Sequence, residues 1–151
     1  MRKHILALII LTLGCVNADA KDIYRLAEFV RPAYTAMNFA ALCARDNPSF
    51  LADTSGQLGS AFHYAEHVKN EAIVGLSQTD AVKILTLAAD TARFSAIQNL
   101  HQFVQPGTDN INVGKIKNWC ETDAKRFIEQ LILDHDSDHD SWHAALERAK
   151  K

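Results

Sequence analysis

Along nearly the whole chain, apolar residues recur every three or four positions, the period of helices that bury one stripe. The first stripe is Ile23, Leu26, Val30, Tyr34, Met37 and Ala41. Pro32 falls inside it, lacking an N–H and crowding the preceding turn, so a kink or restart is expected there. The run stops at Asp46-Asn47-Pro48-Ser49, where Asn47 can cap the next helix and Pro48 can take its first turn. A second stripe, Leu58, Phe62, Ala65, Val68, Ala72 and Leu76, predicts a helix from about Pro48 to Leu76.

Ser77 and Asp80 resemble a capping box for a third helix, whose stripe is Val82, Leu85, Ala88, Ala92, Ala96, Leu100 and Phe103. Gln105-Pro106-Gly107-Thr108 ends it. A fourth helix is expected from about Asn112 to Leu133, with Val113, Ile116, Cys120, Phe127 and Leu131 inward. No alternating run of β-branched residues is bounded by hairpin turns, so strands are not expected. These elements predict an all-α fold: an antiparallel, up-down-up-down four-helix bundle over residues 21–133. Residues 134–151 add an acidic, histidine-bearing break and a short helix from Trp142 to Lys150.

The N-terminus departs from this pattern. Arg2, Lys3 and His4 precede an apolar run from Ile5 to Leu13, and Ala18-Asp19-Ala20 closes the segment. A basic start, an apolar middle and an Ala-x-Ala end make a secretory signal over residues 1–20. The apolar run falls well short of the ~20 residues that cross a bilayer, so no transmembrane anchor is expected. Thr12-Leu13-Gly14-Cys15 offers a rival cut that would leave a lipid anchor at Cys15, but Thr12 and Leu13 suit it poorly. The expected location is therefore the periplasm or the exterior.

Without Arg2, Lys3 and Asp19 the chain carries 14 basic and 17 acidic residues, a net charge near −3. No basic surplus exists to displace counterions, which argues against nucleic acid as a partner. Cleavage would also remove Cys15, leaving Cys43 and Cys120 as an even pair in an oxidising space, where a disulfide is the expectation. In up-down-up-down order the end of helix one and the start of helix four meet at one end of the bundle, within reach of such a bond. On the chain-entropy model, closing so long a loop restricts the unfolded state by roughly 4–5 kcal/mol.

Two histidine groups carry the candidate chemistry. His63, Glu66 and His67 place two imidazoles one helical turn apart with a carboxylate between them, a pattern that suits zinc and, with a third ligand, a zinc hydrolase. In the expected register Asp90 is the only third ligand at that level, and Phe62 and Ala65 take the inward face. The plainer expectation is a pair flanking that face, partly solvated.

The second group is Asp134-His135-Asp136-Ser137-Asp138-His139-Asp140-Ser141-Trp142-His143. If helix four continues, His135, His139 and His143 share one edge and suit zinc, copper or nickel. Alternatively Asp136, Asp138, Asp140 and Glu147 stand at the carboxylate positions of a calcium loop, with Ser141 where glycine normally turns the chain and His143 in place of an apolar residue. One reading needs helix where the other needs loop. The plainer expectation is again a solvated break, with Ser137, Asp138 or Ser141 capping the last helix.

Nothing in the chain resembles a nucleophile elbow, a phosphate loop or a haem-attachment motif. The functional expectation is an exported, non-catalytic binding protein whose partner is another exported or envelope protein, in an inhibitory, immunity, stress-protective or accessory role. The alternative is a divalent-metal protein using the C-terminal His/Asp cluster. A zinc hydrolase at His63, Glu66 and His67 stands third.

Overall fold

A computed structural model of the chain describes residues 20–45 and 60–151. The expected leader, apart from its last residue, lies outside the described residues, and so do Cys15, the cap at Asn47 and the expected start of the second helix. Five helices make up the rest: α1 (Ala20–Ala44), α2 (Ser60–Ile73), α3 (Gln78–His101), α4 and α5. The fourth, α4, runs as Val113–Trp119, a π-helical stretch Cys120–Ala124, and Lys125–Ser137; α5 is His139–Ala149. The described residues contain no strand, only a single antiparallel bridge between Val104 and Ile111.

Local chemistry sets most of the boundaries. Gly75, at φ 82°, turns the chain out of α2, and Ser77 then caps α3 by accepting the Asp80 N–H at 3.1 Å. The Asp80 carboxylate answers by accepting the Ser77 hydroxyl at 2.8 Å. Asn112 does the same service for α4, its side chain accepting the Lys115 N–H at 3.0 Å. At Pro32 the expected restart does not occur: α1 is one helix through that position. Val30 and Ala33, on either side of the proline, are fully buried, and tertiary packing of this kind outweighs the local penalty of roughly 3 kcal/mol.

α1 contacts all four other helices, most extensively α3. Its buried positions, including Ala27, Ala33, Ala36, Ala40 and Ala44, cover a wide arc of small side chains, which lets neighbours approach from several sides. Ala88 and Ala92 answer from α3, joined by Ile84. Val82, expected inward, is 57% exposed and Ile84 is buried in its place, while Ala88 and Ala92 keep the expected face. Val113, also expected inward, faces solvent, while Trp119 is buried. The π stretch widens the turn at Cys120–Ala124 and passes the buried face on to Ala124 and Ile128.

Two buried clusters line the length of α1. One surrounds the disulfide Cys43–Cys120, with Phe39 edge-on to Trp119 at a ring separation of 4.8 Å. The other joins Leu26 and Val30 to Val68, Ile84 and Leu146 of α5. Leu146 is completely buried and the Trp142 ring lies 5.4 Å from Phe29, so α5 is docked on the body of the protein. Among the described residues, no helix is long and apolar enough to cross a membrane.

Candidate metal centre

Three helices bring one histidine each to a common point. On α2 the buried residues Ala61, Ala65, Val68 and Ala72 fix the inward face, which puts His67 on its flank, half-buried, and leaves His63 and Glu66 exposed. On α4 the buried Ile128 and the half-buried Leu131 and Ile132 set the face on which His135 follows, one turn further along. The α4 helix stops at Ser137. Asp138 leaves helical geometry and caps α5, its side chain accepting the Ser141 N–H at 3.1 Å. Burial of Trp142, Leu146 and Ala149 then holds α5 so that His139, in its first turn, stands beside His135.

One ring nitrogen from each of His67, His135 and His139 lies within 4.8 Å of the others. The His67 and His135 rings are 4.9 Å apart, and those of His135 and His139 5.2 Å. A tetrahedral ion bound at 2.0–2.1 Å needs ligand nitrogens about 3.4 Å apart, so small side-chain rotations close the set. The indole of Trp142 packs 4.8 Å from His135 and about 6 Å from the other two rings.

The electrostatic arrangement at His135 is specific. Its Nδ1 lies 2.7 Å from Asp136 Oδ1; a carboxylate only accepts, so that nitrogen carries the proton. The lone pair is thereby left on Nε2, which is buried with no hydrogen-bond partner, as is Nε2 of His67. An unsatisfied buried polar atom costs about 1–3 kcal/mol, and two such atoms on rings 4.9 Å apart are what a cation would relieve. A carboxylate–histidine pair of this kind is also the usual support of a metal-binding imidazole. Nearby, burial pushes the Tyr64 hydroxyl up to about 12, with Trp142 acting in the opposite direction and Asp134 and Asp136 adding to the rise. Tyr64 is thus a neutral O–H at the edge of the cluster, its ring 5.7 Å from His135.

The structure therefore draws one member from the first histidine group and two from the second. His63 stays one turn away on α2, and Glu66 pairs with Lys69 at 3.4 Å, so His63, Glu66 and His67 do not converge. His143 lies a turn beyond His139, with 6.3 Å between ring centres, so the expected straight edge of His135, His139 and His143 is broken at Asp138. The calcium-loop register is not formed. Asp138 is spent as a cap, Asp140 sits exposed in the first turn of α5, and Glu147 pairs with Lys150 at 3.2 Å inside that helix. Burial of Trp142 and Leu146 drives that stretch into a helix, where a calcium site needs a loop.

The expected register sets His63 level with Thr91 of the third helix and Arg126 of the fourth; in the structure the next turn of α2 brings His67 to His135. No residue type was missed, but the axial register between α2 and α4 was. Comparisons of the chain with protein-family models, with curated proteins and with solved structures find no match.

Proposed function

We propose that this chain is an exported helical protein that binds one divalent transition-metal ion through His67, His135 and His139 and acts by binding rather than by catalysis. The observation that carries the reading is the meeting of three imidazoles, two of which have a buried, unpartnered Nε2, with the Nδ1 of one held by Asp136. Neutral imidazole suits Zn²⁺, Cu²⁺ and Ni²⁺, whereas Ca²⁺ takes oxygen ligands, so the transition metals fit and calcium does not. Exposed His139 gives the ion a way in. Export is supported by the basic–apolar–Ala-x-Ala N-terminus and by the Cys43–Cys120 bond. The up-down-up-down course of the first four helices belongs to the same proposal; it is supported by that bond, which ties the end of α1 to the first part of α4.

Calorimetric titration of Zn²⁺, Cu²⁺ and Ni²⁺ into metal-free, oxidised protein tests the reading. One ion per chain is expected, with affinity lowered at least tenfold in each of His67→Ala, His135→Ala and His139→Ala. Absence of binding, or binding unaffected by these changes and lost in His143→Ala, overturns it.

A second reading, attachment to another exported protein, is favoured by Phe94 and Ile97 on α3, which are 62% and 45% exposed. Crosslinking through position 94 in a periplasmic extract tests it: a single specific product is expected, and capture no different from a Phe94→Lys control contradicts it.

A further inference from the structure

We infer that a metal ion held by His67, His135 and His139 keeps a coordination position open to a small external anion, which enters through the groove beside α2. The inference rests on the metal reading above. Among the described residues the converging set stops at three donors, and an ion of this class takes four or more. Structural zinc sites close with a fourth protein ligand, whereas sites that meet an outside molecule leave that position free.

The surroundings show where that position lies. A groove of about 180 Å³ is lined by His63, Tyr64, His67, Ile132, His135 and Asp136. It shares two of its walls, His67 and His135, with the metal site. Trp142 packs against all three imidazoles and is not itself a wall of the groove.

The size and the chemistry of the groove select the ligand. Liquid water takes about 30 Å³ per molecule, so the groove admits a handful of heavy atoms and excludes a folded partner. Three neutral imidazoles leave the ion's double charge uncancelled, and a partly buried charge is stabilised by a counter-charge bound directly to it. Asp136 faces His135 Nδ1 and supplies part of that charge at one remove. Tyr64 is among the groove's lining residues, and a tyrosine hydroxyl can donate to an oxygen or nitrogen of an incoming group. A small carboxylate or a linear anion meets all of these conditions.

The experiment loads the oxidised protein with Co²⁺, whose visible absorption responds to coordination number, and titrates azide, then acetate. A saturable spectral change with one azide per cobalt is expected. His63→Trp, which fills the groove from an exposed position, should weaken azide by about tenfold, with cobalt content measured in parallel. Ile132→Phe narrows the same groove from the opposite helix and should act in the same direction. A one-to-one cobalt complex indifferent to a large excess of azide overturns the inference, because the chain's own donors then complete the shell. So does an azide effect equal in wild type, His63→Trp and Ile132→Phe, or a cobalt spectrum altered in His63→Ala before any azide is added. Failure of cobalt to bind at all strikes the metal reading instead.

Discussion

Asp136 Oδ1 lies 2.7 Å from His135 Nδ1, and that contact leaves Nε2 as the ring's unpartnered nitrogen. Asp136 is adjacent in sequence and largely exposed, so its carboxylate orients the imidazole from the solvent side while Nε2 stays buried. Replacing it with Ala should therefore lower affinity for Zn²⁺ without removing a ligand. Outer partners of this kind are typically worth 10–100-fold, and the exposure of Asp136 places the expected loss near tenfold. Asp136→Asn, which can still accept through its amide oxygen, should lose less. Competition titration with a coloured chelator reads both; unchanged affinity in Asp136→Ala would remove the orienting role.

The two histidine groups stand nearly seventy residues apart in sequence, and each carries only part of the histidine cluster. Helical spacing made both groups visible, and it made Cys43 and Cys120 legible as a bond across the ends of two helices. What spacing cannot supply is how far one helix slides along another, which depends on side-chain packing and on connections such as residues 102–112. α4 runs to Ser137, four residues past its expected end, and that extra turn delivers His135 to His67. The π stretch at Cys120–Ala124 was invisible for the same reason: its composition is ordinary, and only the packing of Trp119 and Ala124 requires it. Packing of Leu146 and Trp142 with Leu26 and Phe29 is what turns the C-terminal stretch from the expected solvated break into a wall of the site.

Asp138 ends α4 and begins α5, and its side chain is held by the Ser141 N–H. Hydrogen bonds from Ser141 keep its carboxyl below the usual aspartate range. Because its folded value is lowered, its contribution is present above the unfolded value and is lost as pH falls through the folded one. Asp138→Ala should loosen α5 at neutral pH, reduce helical circular dichroism, shift Trp142 emission to the red and weaken Zn²⁺ binding through His139. Asp138→Ser, another good cap, should restore all three. Identical spectra for Asp138→Ala and wild type would show that α5 is held by packing alone.

Leu146 is fully buried where α5 meets α1. Leu146→Ala removes that contact and leaves a cavity, a change expected to cost about 2–5 kcal/mol in urea unfolding. Saturating Zn²⁺ should recover part of this loss, because the ion ties His139 of α5 to α2 and α4 and binds only the folded state. A destabilisation under about 0.5 kcal/mol, the level of ordinary surface substitutions, would contradict the docking of α5.

The Cys43–Cys120 bond closes about half of the chain into a loop, its two cysteines buried beside Phe39 and Trp119. Reduction, or Cys43→Ser, should lower unfolding free energy by about 2–5 kcal/mol, measured as the difference between oxidised and reduced urea transitions. Coincident transitions, with two thiols titrating in the native protein, would contradict it.

X-ray absorption at the zinc edge of the one-to-one Zn²⁺ complex tests the central claim most directly. The account predicts three imidazole nitrogens at about 2.0–2.1 Å, falling to two in His67→Ala. A shell made only of oxygen atoms, or one unchanged by loss of His67, would contradict it.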